Sequence, residues 1–195
     1  MISNVTETIK YIGVDDTTID LFESQYIVPN GISYNSYLIK DEKIAIMDTV
    51  DLRKGEEWFA NLEEALEGRT PDYLVVQHME PDHAGNIANL LAKYPAIKIV
   101  ASAKAIQMMP QFFEDTCFEG KTIAVKEGET LNLGAHTLQF FMAPMVHTTK
   151  PTRFSLPPTD LVSSVLWLTK KIGLARLVAI TSISVASMVL KFRHF

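Results

Sequence analysis

His78, Glu80, Asp82 and His83 fall within the stretch Q-H-M-E-P-D-H, directly after the apolar run Tyr73-Leu74-Val75-Val76. Two imidazoles and two carboxylates at alternating and then adjacent positions are a ready ligand set for one or two divalent metals. The apolar run predicts a short buried strand and Ala84 to Tyr94 predicts a helix, which puts the ligands at a strand end and a helix start. In an extended segment His78 and Glu80, two residues apart, point to the same side. A surface cluster of such residues can arise by chance, but this spacing favours metal chemistry.

The other histidines divide. His147 follows the predicted strand Thr137–Met142 across a loop containing Pro144, a position that brings a distant ligand to a strand-end site. His136 lies near a turn and is expected to face solvent or to bond locally. His194 stands beside the chain end and carries no functional weight. Cys117 has neither a second cysteine nor a nearby basic cluster, so it reads as an inert thiol.

The elements that must position these residues follow from the hydrophobic pattern. Val5–Val14 and Ile19–Val28 predict strands, and Pro29-Asn30-Gly31 a turn. Tyr34–Lys40 and Lys43–Val50 predict strands joined by a tight hairpin at Asp41-Glu42. Arg53–Glu67 carries Trp58, Phe59, Leu62 and Leu66 at helical spacing and stops at Gly68, a C-cap signal. Strand 73–78, helix 84–94, strand 97–101, helix 103–114 and strand 121–125 come next, then strands near 129–133 and 136–142. Hairpins first and β-α-β units afterwards predict an α/β layered domain with a mixed sheet covered by helices.

With 195 residues the chain suffices for one domain with a real core. A single cysteine excludes an internal disulfide framework and suits a reducing cytosol. The start of the chain has no basic or apolar leader pattern, so a cytoplasmic location is expected. The net charge of −5 conceals a split. Residues 1–147 carry 22 acidic and 11 basic side chains, net −11, whereas residues 148–195 carry Asp160 against seven bases, net +6. Such asymmetry ordinarily suggests a tail for nucleic acid or membrane. No nucleic-acid partner is expected.

H-x-E-x-D-H after an apolar strand resembles the metallo-β-lactamase motif H-x-H-x-D-H, with Glu80 in place of the second histidine. That exchange resembles the flavodiiron proteins, the A-type flavoproteins that include rubredoxin:oxygen oxidoreductases. D-L-F-E-S-Q-Y at 20–26, P-N-G-I-S-Y-N-S-Y-L-I at 29–39, D-Y-L-V-V-Q-H-M-E-P-D-H at 72–83 and A-P-M-V-H at 143–147 are similar to that family too. The resemblance implies a metallo-β-lactamase-like αββα sandwich, here incomplete and mainly its first β-α half. It implies His78, Glu80 and His147 as ligands of one iron, Asp82 as a ligand of a second, and His83 as a ligand or near-ligand. A carboxylate in place of an imidazole makes a harder, more anionic site, suited to iron in two oxidation states. The implied activity is reduction of O2 to water or of NO to nitrous oxide. Electrons would come from FMN in a C-terminal flavodoxin domain, with rubredoxin or another donor and a head-to-tail homodimer as partners.

After His147 the text departs from the family, which continues with W-P-E-V and then S-A-D-G-F-G, the segment that carries the bridging aspartate. Codons exist for residues 148–195 that, read from the last base of the His147 codon, spell Y-D-K-A-D-K-V-L-S-A-A-D-G-F-G-K-F-G-A-L and onward. That string is similar to the family's continuation, and the fully constrained codons of Trp167 and Met188 agree with it. Residues 148–195 therefore read as a frame-shifted tail, with Thr148–Pro158 irregular and Leu161–Lys191 at most loosely helical. The flavodoxin domain is expected to be absent and the chain to be inactive. Two other readings are a zinc-dependent hydrolase of the same superfamily and a non-catalytic fragment attached to a membrane through Ile172–Leu190. Arg176 and four Ser or Thr residues in that stretch weaken the membrane reading.

Overall fold

The computed structural model describes residues 2–22, 24, 26–144, 162–170 and 178–180. The chain opens with β1 (Ser3–Asn4), β2 (Ile9–Tyr11), β3 (Val14–Asp16), β4 (Leu21–Phe22) and β5 (Tyr26–Ile27). β6 (Ile32–Tyr34), β7 (Tyr37–Ile39) and β8 (Ala45–Met47) follow, and a 3-10 turn at Leu52–Lys54 leads into α1 (Gly55–Leu66). Next come β9 (Tyr73–Val76), α2 (Pro81–Ala84), α3 (Ile87–Lys93), β10 (Lys98–Ser102), α4 (Ala103–Phe112) and β11 (Thr122–Val125). β12 (Thr130–Asn132), β13 (His136–Pro144), β14 (Val162–Lys170) and β15 (Val178–Ile180) complete the described elements.

Seven strands form one mixed sheet in the order β1-β2-β7-β8-β9-β10-β11. Its first half is antiparallel, and β8 through β11 are parallel. A second, antiparallel sheet runs β12-β13-β14-β15. Alternation along the strands feeds two separate cores. Ile46, Leu74, Val76, Ile99 and Ala101 face Trp58, Leu62, Leu66, Leu90 and Leu91 of the helices. Ala45, Met47, Val75 and Val100, from the same strands, face Leu138 and Phe140 of the second sheet and Leu133 between its first two strands. The described layers are thus helix, sheet, sheet. This is the α/β architecture expected, with its first half the more complete.

Several predicted elements are revised. Val5–Val14 is not one strand, because the chain turns at Ile12-Gly13 to pass from the large sheet to the β3–β6 pair. A Cβ on Gly13 would stand 2.3 Å from the Tyr34 carbonyl oxygen, so only glycine allows that approach. Ile19–Val28 is a hairpin, reversed at Ser24 with φ 58°. Helix 84–94 is two pieces, α2 and α3, parted at Gly85-Asn86.

The tail expectation is also corrected. Val162–Lys170 is not helical but pairs antiparallel with β13 over nine residues, and Val178–Ile180 pairs with β14. The physical reason is the open edge of β13, whose unpaired backbone groups offer a ladder to any β-prone segment. A lone helix there would gain little without packing. The rest of the expected tail, including Thr148–Pro158 and most of Ile172–Leu190, lies outside the described residues. Among the described residues no helix is long and apolar enough to cross a membrane.

Candidate metal centre

The ends of β8 and β9, adjacent parallel strands, carry the site, as is usual at the carboxyl edge of such sheets. β9 is buried along Leu74, Val75 and Val76, which fixes where Gln77 and His78 emerge. Met79 is buried and anchors the loop, and Glu80 occupies the N-cap of α2 with extended backbone before Pro81. Proline at the first helical position presets the turn at no cost in hydrogen bonds. The Glu80 carbonyl accepts from the N–H groups of His83 and Ala84, both at 2.9 Å. This single turn places Asp82 and His83 against the strand end.

Four of the five sequence-predicted residues come together. His78 Nε2 lies 2.9 Å from Glu80 Oε1, and the His78 and His83 rings are 5.7 Å apart between centroids. His83 Nε2 is 3.3 Å from Asp82 Oδ2. Two donors bound to one metal at about 2.1 Å each and at right angles stand about 3 Å apart, so the His78–Glu80 separation is commensurate with shared coordination. His147 lies outside the described residues. Among the described residues no three His, Cys, Asp or Glu side chains stand ready as a metal cage.

The fit of these residues to a metal rests on their unsatisfied atoms. His78 Nδ1 and Asp82 Oδ1 are buried without a hydrogen bond, and the buried ring nitrogens of His83 meet only carboxylate oxygens, at 3.3 Å and out of good hydrogen-bond geometry. Buried polar atoms are almost always bonded, and a group of orphans in one place requires a reason. Burial holds the Asp82 carboxyl above the usual carboxylate range, because its charge is poorly solvated. Burial pulls His83 down, but the Asp48, Asp82 and Glu80 carboxylates overcome it and raise the imidazole to about 9. Both directions have one meaning. The pocket gathers more negative charge than it can solvate, and it draws in a positive one, whether a proton or a metal ion.

Asp48, which sequence reasoning missed, stands beside these residues. It follows β8 directly and its Oδ2 lies 3.3 Å from His83 Nδ1. Its Oδ1 accepts the Gln77 N–H at 2.7 Å. Thr49 beside it donates both its N–H, at 2.7 Å, and its hydroxyl, at 2.8 Å, to the His83 carbonyl. The signal was available, since an aspartate that ends a fully apolar strand beside a ligand-bearing strand is placed for such a contact.

His136 overturns its expectation. It is only 2% exposed, and its Nδ1 lies 2.5 Å from Asp41 Oδ2. Cys117 is exposed and free.

The sequence profile of the ODP family of beta lactamases matches residues 32–164 of this chain. A diflavin flavoprotein A 1 from Synechocystis is 36% identical over 129 residues, covering 66% of this chain and 22% of that protein. An anaerobic nitric oxide reductase flavorubredoxin from Pectobacterium atrosepticum is 35% identical over 149 residues, covering 75% of this chain and 29% of that protein. Among solved structures, rubredoxin oxygen:oxidoreductase from Desulfovibrio gigas superposes with a TM-score of 0.73 at 29% identity. That superposition covers 87% of this chain and 40% of the other. The chain therefore spans well under half the length of these relatives.

Proposed function

The chain belongs to the ODP family of beta lactamases, and on that premise we propose that residues 1–147 form a non-haem diiron oxidoreductase domain of flavodiiron type. His78, Glu80 and His147 would hold one iron, and Asp82 with His83 the second. The observation that carries the reading is the buried cluster of poorly satisfied ligand atoms: His78 Nδ1 and Asp82 Oδ1 without a hydrogen bond, and the His83 nitrogens facing carboxylates at 3.3 Å. Glu80 at the place of a histidine supports iron over zinc, since it hardens the donor set.

Two irons bound here would supply electrons for reduction of O2 or NO. The residues themselves do the rest: Asp48 turns His83, Thr49 fixes the α2 backbone, and the apolar surround formed by Val76, Met79 and Ala84 keeps the site dry. FMN, a rubredoxin-type donor and a head-to-tail dimer belong to the same reading of the whole parent protein. Residues 148–195 would then be a displaced reading frame that leaves the second iron without its bridging carboxylate. The chain as written would bind iron substoichiometrically and would not reduce O2.

Anaerobic loading with Fe(II) or Zn(II), followed by metal analysis, tests the assignment. Uptake of iron that is lost in His78→Ala and Asp82→Ala supports it. Zinc uptake accompanied by ester or phosphodiester hydrolysis would replace it with the hydrolase reading.

A further inference from the structure

Asp48 has φ 55°, in the left-handed region that residues with a Cβ disfavour. Such a conformation persists only where the surroundings over-determine it, and it concentrates at functional sites. Here the surroundings are specific. The Asp48 N–H donates to the Val75 carbonyl at 2.9 Å, which ties it to β9. Its carboxylate is shared between Gln77, through N–H and Nε2 at 2.7 and 3.2 Å, and the His83 ring. Its carbonyl accepts the Ser36 hydroxyl at 2.9 Å.

Ser36 is fully buried between β6 and β7, and its oxygen in turn accepts Trp58 Nε1–H at 3.0 Å. An indole N–H can only donate and a hydroxyl carries one proton, so the direction is fixed: Trp58 to Ser36 to the Asp48 carbonyl. Trp58 is fully buried on α1, a helix that contributes no predicted ligand. Both groups would be costly to leave unbonded at that depth.

We infer that Ser36 and Trp58 are positioning residues for the metal centre: their relay sets the plane of the Asp48 peptide, and through it the carboxylate that turns the His83 ring. The inference rests on the reading of His83 as a metal-site residue. It assigns to α1 a role in the site through Ser36 and Asp48 rather than by contact with the ligands. If the chain used Ser36 only to satisfy Trp58, nothing would require the acceptor to be the carbonyl of the one left-handed residue at the site.

The test uses the whole chain, with Ser36→Ala, Trp58→Phe and a core control, Ile99→Val, which loses packing on the same sheet. Two readouts are taken: the imidazole 15N–1H signals of His83 in the metal-free chain, and Co(II) affinity by titration. Both relay variants should move the His83 signals and weaken Co(II) binding roughly tenfold, the scale of losses behind a ligand. The control should lose thermal stability and change neither. His83 signals that stay with the control's in the folded relay variants overturn the inference; Trp58→Phe, which removes the donor together with part of the ring volume that the core control accounts for, carries the test if Ser36→Ala does not fold. A parent chain that takes up no Co(II) refutes the metal reading instead, and the His83 signals then decide the relay alone.

Discussion

Asp41 and His136 show how a single residue pair can join two sheets. Asp41 sits at the β7–β8 turn and receives the Glu42 N–H at 2.7 Å, the Ala135 N–H at 3.1 Å and the His136 N–H at 2.6 Å. The His136 ring adds its Nδ1 at 2.5 Å, and its Nε2 is 3.2 Å from Thr8 Oγ1. Burial works to raise the Asp41 carboxyl, but these donors prevail and hold it below the usual carboxylate range. A carboxyl lowered in the folded state stabilises fully above its unfolded value, near pH 4, and that contribution is lost as pH falls through the lower folded value. Asp41→Asn should therefore cost about 2 kcal/mol at pH 7 and should flatten the acid limb of the stability profile, as urea unfolding at pH 7 and pH 3 would measure. An unchanged acid limb would mean that other carboxylates control it. In sequence, the turn at His136 was legible, but its partner lies 95 residues away, and no local pattern encodes such a bond. His78, Glu80, Asp82 and His83 were legible for the opposite reason: six residues contain them all, and one strand end with one helical turn is enough to bring them together.

Between elements, the seam of α2 with the segment after β8 is tightly packed. A Cβ on Gly85 would stand 2.7 Å from Leu52 N and from Pro81 O, and 2.9 Å from Val50 O. All three are backbone atoms, so no side chain can swing aside. Asn86 seals the same seam, donating Nδ2–H to the Val50 and Asp51 carbonyls at 2.9 and 3.1 Å. Gly85→Ala should cost about 1–3 kcal/mol by overpacking and should lower metal affinity, because α2 carries Asp82 and His83. Gly68→Ala is the comparison: its φ is 83° but nothing lies within 4 Å of the added Cβ, so its cost should be about 1 kcal/mol with metal affinity unchanged. Thermal unfolding and metal titration of the two variants separate the cases; equal loss of affinity in both would detach the seam from the site. Hydrophobic periodicity made α1 and β8 to β11 readable, because each buries a continuous face. It failed at Ile19–Val28 and at Gly85-Asn86, where reversal and interruption come from single backbone conformations inside otherwise apolar runs.

Across the whole molecule the two cores are unequal in what defines them. The helix-facing core draws on strands and helices that all lie within residues 1–147, whereas the second sheet is extended by β14 and β15 from the tail. The family match also runs past His147 to residue 164. Composition marks it as unlike the rest, with seven bases and a single acid in 148–195, while the strand pairing of Val162–Lys170 was hidden from sequence because it is set by the exposed edge of β13 and not by the tail's own pattern. These observations give the frame reading a direct test. Codons exist that, read from the last base of the His147 codon, spell A-D-G-F-G, and on the frame reading this would put an aspartate where the resemblance implies the bridging ligand. The chain carrying that re-read tail should take up about two irons, as two-metal sites do, and its tail should resist proteolysis as long as the domain does. The chain as written should take up less iron and lose its tail first. Equal iron uptake and equal resistance in the two would show that residues 148–195, as they stand, already supply what the second sheet and the centre need.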